Sequence, residues 1–335
     1  MQVRHGVRLA ELTTLAVGGP IERLVVVESA DDLVAAVRDA DEAGRPLLVL
    51  GGGSNVVAPD EGWPGDVVLV RSRGVERDGG RLAVQAGHDW DDLVAYTVEQ
   101  RLAGVEALSG IPGSTGATPI QNVGAYGQEV AQTITAVRVY DRAEKTERVL
   151  APAECGFAYR DSRLKREPGR FVVLEVRFEM HPGDLSRPVG YAELARTLGV
   201  EIGERAPLAE VREAVLGLRR GKGMVWDPAD PDSRSAGSFF TNPIVPAERA
   251  VEGCPSWPAE DGQVKLSAAW LVQHAGFGRG TREGKVGTSS RHSLALTTED
   301  GATAAELLAF ADRIVATVRE RFGVHLDREP TAVRP

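Results

Sequence analysis

Apolar positions in the first half of the chain alternate between two spacings. Short, nearly continuous runs rich in β-branched residues, at 23–28, 46–50, 67–71 and 81–86, predict strands. Between them lie stretches with helical spacing. Ser29 is placed to cap a helix carrying Leu33, Val34 and Val37 to about Ala43, with Asp31 and Asp32 in its first turn. Residues 89–101 predict a second amphipathic helix, and 134–141 and 171–178 two further strands. The second half reads as helices at 208–220, 266–275 and 304–322. In the last of these, Leu307, Ala311, Ile314, Val318 and Phe322 form one core-facing stripe. Gly323 stops it, and 324–326 predict a final strand. The pattern is α+β or α/β, with a long Gly/Pro-rich loop from Ser109 to Gly127 and a domain boundary near 199–207, where Gly, Pro and charge cluster. No internal repeat is evident.

The length, 335 residues with 42% hydrophobic, suffices for two or three domains. A formal charge of −9 argues against nucleic acid as a partner, because no broad basic face is available. An anionic small ligand would need a local cluster of Arg, Lys and backbone N–H groups. Two distant cysteines, Cys155 and Cys254, offer neither metal nor redox spacing. No apolar run approaches membrane-spanning length, and the N-terminus lacks a charged-then-apolar signal pattern. These features predict a soluble, cytoplasmic protein without a metal site.

Three segments carry candidate chemistry. In Leu50-Gly51-Gly52-Gly53-Ser54-Asn55, three glycines follow a strand, so backbone N–H groups can converge on an anion. It is neither a Walker loop nor a Rossmann fingerprint. A pyrophosphate cradle and a flexible surface turn are both open readings. The second segment, Gly110 to Gly127, mixes small residues with Pro112, Gln121, Asn122 and Tyr126, and suits a loop packed around a flat polar cofactor or a buried crossover. The third, Ser235-Ala236-Gly237-Ser238-Phe239-Phe240-Thr241-Asn242-Pro243, sets a hydroxyl between a glycine and two aromatic anchors. A rigidly held hydroxyl suits proton donation or ligand contact, and a capping serine in a tight turn is the plain alternative. Arg160, beside Tyr159, could be a fixed cation, although most arginines are surface ion-pair partners. Of the six histidines, His88 and His274 read as interior or helix-end groups, and His292 lies near a possible site but has no assigned chemical role.

Taken in order, these segments resemble the UDP-N-acetylenolpyruvoylglucosamine reductase family of flavoenzymes. The resemblance runs from Leu12-Thr13-Thr14-Leu15 and Gly18-Gly19, through Gly51–Asn55, Ile111-Pro112-Gly113 and Pro119–Gly127, to Tyr159-Arg160-Asp161-Ser162, Ala236–Pro243 and Glu329. It implies an α+β chain with an FAD-binding fold of the vanillyl-alcohol-oxidase type. The flavin region would span 1–206, with subdomains of about 1–65 and 66–206, and a C-terminal α/β substrate domain would span 207–330. FAD would be held non-covalently by Gly51, Gly52, Gly53, Ser54, Asn55, Ile111, Pro112, Gly113, Gln121, Asn122, Gly124 and Ala125. Tyr126, Tyr191, Lys222 and Asn242 would meet the substrate, UDP-N-acetylglucosamine enolpyruvate.

The implied reaction takes hydride from NADPH through the flavin to the vinyl C3, while C2 is protonated, giving UDP-N-acetylmuramate for peptidoglycan. Arg160 and Glu329 would stabilise the enolate-like charge and Ser238 would supply the proton. A monomer is expected. The chain departs from the family pattern twice. Lys222 is followed by Gly-Met-Val-Trp-Asp-Pro instead of a compact Leu-Pro-Asp-Pro, and no arginine sits two residues after Glu329. The alternatives are another FAD-dependent oxidase of the same fold and a non-catalytic nucleotide-sugar binding protein.

Overall fold

The computed structural model describes residues 1–335. Its first sheet has the order Gln2–Arg4, Ile21–Val27, Trp63–Val70, Leu47–Leu50, and its last three strands run parallel. Parallel pairing needs a crossover, and Ala30–Glu42 supplies it as a helix. Ser29 caps that helix as expected, its hydroxyl accepting from the Asp32 N–H at 3.1 Å. Both faces of the sheet are covered, which explains the unbroken apolar runs. Val25, Val27, Val68 and Val70 face one core, while Leu24, Val26, Val67 and Leu69 pack with Leu9 and Trp63 on the other side.

A second, antiparallel sheet has the order Thr146–Leu150, Ile134–Asp141, Phe171–Glu179, Arg81–Gln85, Val75–Asp78. Val84, Val137, Val139, Val176 and Phe178 from this sheet share one core with Val25 and Val68 from the first. The two sheets are therefore fused through a common apolar layer. Trp63–Val70 runs across the subdomain boundary expected at 65/66. Helix Leu208–Gly221, expected to open the C-terminal domain, buries Val211 and Val215 against Ala107, Leu194 and Ala195. It packs with the first unit, because its apolar stripe finds its partners there.

The C-terminal unit is built on Ser235–Ser238 paired antiparallel with Ala295–Thr298. Its core joins Phe239, Phe240, Leu271 and Leu296 to the Leu307, Phe310, Ile314 and Val318 stripe of the long helix Ala304–Phe322. Thr303 and Glu306 form a capping box at that helix start. Asp60, from the first unit, also accepts from the N–H groups of Ala304 and Ala305 at 2.8 and 2.9 Å, which ties the two units together.

The final strand expected at 324–326 does not form. Gly323 turns the chain at φ +67, Val324 and Leu326 are buried, and no strand lies alongside them. The chain instead returns to the first unit, where Thr331–Ala332 pairs parallel with Val56–Val57. This return places Glu329 between the two units.

Candidate active site

One cavity of about 1210 Å³ lies between the units. Its floor is the glycine segment that follows Leu47–Leu50. The glycines there are dictated by close backbone approach. A Cβ on Gly51 would lie 2.2 Å from Ser114 Oγ, one on Gly52 would lie 2.6 Å from Gly113 Cα, and one on Gly53 would lie 2.0 Å from the Leu12 carbonyl oxygen. The glycines thus press the 51–55 and 111–114 segments together, and Ser54 Oγ donates to the Pro112 carbonyl at 3.0 Å. The N–H groups of Gly52, Gly53, Ser54 and Asn55 donate to no group within the chain. A run of unspent donors facing a cavity is a fit for a diphosphate.

Ile111, Pro112, Gly113, Gln121, Gly124 and Ala125 also line the cavity, together with the glycine segment. Asn122, expected among the cofactor contacts, does not. It is buried at φ +45, and its side chain is spent inside the protein. Its Nδ2 donates to Glu129 and to the Ala158 carbonyl at 2.8 and 3.0 Å, and its Oδ1 accepts from the Ala131 N–H at 3.1 Å. It therefore braces the loop from within.

Arg160, Ser238 and Glu329 all reach the same cavity. Arg160 holds φ +54, and its Nη2 donates to the Gly124 carbonyl at 2.5 Å. A Cβ at Gly124 would lie 2.8 Å from Arg160 Nη1, so that glycine leaves room for the guanidinium. Arg160 Nε stands 3.2 Å from Glu329 Oε1, and Gln121 Nε2 donates to the same oxygen at 3.4 Å. The backbone of Glu329 is fixed by its own N–H donating to the Phe239 carbonyl and by Asn55 Nδ2 donating to its carbonyl. Burial pushes the Glu329 carboxyl above its ordinary range, against the opposing pull of Arg160 and Lys165.

Ser238 ends a bulged strand entered through Gly237 at φ +70, and Phe239 and Phe240 behind it are fully buried. The aromatic pair anchors the serine as its sequence setting implied. The Ser238 hydroxyl makes no hydrogen bond within the chain and lines the cavity. Asn242 lines it too, while its Oδ1 accepts from the Ala268 N–H at 3.0 Å, leaving the amide nitrogen available.

At the far end, Tyr126 and Tyr191 meet edge to face at 5.5 Å, and Lys222 Nζ lies 5.5 Å from the Tyr126 ring centre. Lys222 also donates to Glu193 at 2.6 Å. Several cavity residues were given no role in the reading of the sequence. Lys265 sits over the Tyr159 ring at 4.4 Å. Arg219 is buried, with Nη2 donating to the Met224 carbonyl at 2.8 Å and Nε unpartnered. His292 is pushed down to about 4, first by burial and then by Lys222 and Arg279. Trp226 is half-exposed at the rim. Arg219 had a signal, its place three residues before Lys222, and His292 lies near a candidate site in sequence; Lys265 and Trp226 are gathered by tertiary contacts alone.

A model of an FAD binding domain matches residues 21–149, and one of the UDP-N-acetylenolpyruvoylglucosamine reductase C-terminal domain matches 228–333. The fold and site define an FAD-dependent oxidoreductase. The chain is 54% identical to UDP-N-acetylenolpyruvoylglucosamine reductase of Thermobifida fusca, over 98% of this chain and 97% of that one. The Streptomyces coelicolor reductase is 52% identical over 99% and 91%. The crystal structure of the Thermus caldophilus reductase (MurB) aligns over 100% of both chains, with a TM-score of 0.70 at 27% identity. This chain belongs to the UDP-N-acetylenolpyruvoylglucosamine reductase family.

Proposed function

We propose that the protein reduces UDP-N-acetylglucosamine enolpyruvate to UDP-N-acetylmuramate with NADPH, using non-covalently bound FAD, as a monomer in the cytoplasmic phase of peptidoglycan precursor synthesis. The observation that carries this reading is the meeting of Arg160, Glu329 and the free Ser238 hydroxyl on one cavity above a row of unspent N–H donors. When bound, FAD supplies the chemistry of accepting a hydride from NADPH and returning one to the vinyl carbon of the substrate.

The glycine segment Gly51–Asn55 would take the FAD diphosphate, and Ile111, Pro112, Gly113, Gln121, Gly124 and Ala125 would line the rest of the cofactor. Arg160 would hold the carboxylate of the enolpyruvyl group and stabilise the negative charge that spreads into it as hydride arrives at C3. Glu329, half-buried and with its carboxyl raised, suits a protonated partner that donates to the same carboxylate. Ser238 would deliver its proton to C2, which balances the hydride at C3. A serine can do this only against a strongly basic developing carbanion and with water excluded by the bound substrate. Tyr126, Tyr191, Lys222 and Asn242 would orient the UDP-sugar, with Lys222 exchanging Glu193 for the diphosphate. The C-terminal unit would cover the substrate while the two fused sheets grip the flavin.

The test is stoichiometry. One UDP-N-acetylmuramate formed per NADPH consumed, with no dioxygen uptake, agrees with the proposal. NADPH oxidation that tracks dioxygen and leaves the enolpyruvyl sugar untouched contradicts it.

A further inference from the structure

Trp226 is 49% exposed, whereas Trp63 and Trp90 are buried at 5% and 0%. An exposed indole on a loose loop would mean little. The backbone around Trp226 is instead fixed on both sides. Before it, the Met224 N–H donates to the Arg219 carbonyl at 2.9 Å, and the Met224 carbonyl accepts from Arg219 Nη2 at 2.8 Å. Val225 packs toward Gly110, where an added Cβ would come within 3.2 Å of Val225 Cγ2. After it, the Asp227 N–H donates to the hydroxyl of buried Ser233 at 3.1 Å, and that hydroxyl donates back to the Asp227 carbonyl at 2.6 Å. Asp230 meets Arg291 at 2.9 Å, and Asp232 accepts from the Ser290 N–H and hydroxyl at 2.8 and 2.6 Å. The chain thus holds a large π-surface rigidly at the rim of the cavity and leaves it uncovered.

We propose that the Trp226 indole is a stacking wall for the uracil ring of the UDP-sugar. The inference rests on the reductase reading given above. Arg219 and Lys222, which line the same end of the cavity, suit a diphosphate, and a nucleobase lies one ribose beyond it. The acidic character of the adjoining segment selects among nucleotides. Asp227, Asp230 and Asp232 outnumber their one cation, Arg291. Such a rim repels the additional ribose phosphate beside the adenine of NADPH, but accepts uracil, which carries an N–H donor and no charge. Stacking on an aromatic face strengthens base binding by roughly 5- to 150-fold, the range found for one base on one ring.

The test uses FAD-loaded protein. Calorimetric titration with UDP compares the wild type with Trp226→Ala, Trp226→Leu and Trp226→Phe, and stopped-flow flavin reduction measures the NADPH concentration dependence of each. The expected result is UDP affinity weakened about 5- to 150-fold in the Ala and Leu variants and largely restored in Phe, with NADPH dependence unchanged. Leu keeps apolar bulk, so it separates stacking from fold damage if the Ala variant does not fold. Unchanged UDP affinity in the Leu variant overturns the wall, as does equal weakening toward NADPH, which would give the ring to adenine. A wild type that does not bind UDP at all sinks the reductase reading itself, and the wall with it.

Discussion

Arg160 and Glu329 meet at 3.2 Å although they come from opposite ends of the fold. Arg160 stands in a left-handed turn of the first unit. Glu329 arrives only because the last residues leave the C-terminal unit and pair with Val56–Val57. The pair therefore forms only when both units are assembled, and each partner reports on the other.

The raised Glu329 carboxyl has a consequence for stability. A carboxyl raised by folding binds more protons in the native state, so its contribution is fully present below the ordinary value of 4.5 and is lost as pH rises through the folded value. Glu329→Gln should flatten the stability profile in that window. It should also keep FAD, keep reduction by NADPH, and slow enolpyruvyl reduction about 100-fold or more. Urea melts across pH, with flavin content measured on the same samples, check this. Loss of FAD in the variant would instead mark Glu329 as a structural support of the cofactor site.

Ser238→Ala removes a hydroxyl that no group of the chain uses. Stability should change little, and flavin reduction by NADPH should proceed at the wild-type rate. Return of the electrons to the enolpyruvyl sugar should fall by about 10²- to 10⁴-fold, the range of a lost general acid. Equal loss in both halves of the cycle would remove the serine from proton donation.

Gly52→Val should expel FAD. Even one added carbon meets Gly113 Cα at 2.6 Å and its carbonyl carbon at 3.0 Å, so the two cofactor segments must separate. Gly124→Ala makes a gentler contrast. It crowds Arg160 Nη1 at 2.8 Å and the Gln128 carbonyl oxygen at 2.9 Å, so flavin should bind more weakly but remain, while KM for the UDP-sugar rises and turnover falls. Stoichiometric FAD in the valine variant would contradict the cradle.

Asn122→Ala should act through stability. It takes the Oδ1 acceptor away from the part-buried Ala131 N–H, while the Ala158 carbonyl keeps the Asp161 N–H, at a cost of about 1–3 kcal/mol. Once folded, the variant should bind FAD normally. Thermal melts and flavin titration separate the two effects, and weak FAD binding without a stability change would return Asn122 to the cofactor contacts.

Much of the fold was legible in local pattern. The cap at Ser29, the parallel runs and the 304–322 stripe are short-range features, and short-range physics decides them. The buried Phe239 and Phe240 behind Ser238 were legible for the same reason. What escaped depends on distant partners. Residues 324–326 have strand-like composition but no neighbouring strand, and helix Leu208–Gly221 follows its apolar stripe back to the first unit. Asn122 sits among cavity-lining residues in sequence, yet the φ +45 turn points its amide inward. Lys265 and Trp226 join the cavity only through tertiary packing, which spacing along the chain does not encode.

The most direct test of the central claim is an anaerobic absorbance spectrum of the FAD-loaded protein, taken with NADPH and then with UDP-N-acetylglucosamine enolpyruvate. The account predicts that the flavin band bleaches with NADPH and returns in full when the enolpyruvyl sugar is added. A band that bleaches and stays bleached would show that the electrons go to a different acceptor, and would contradict it.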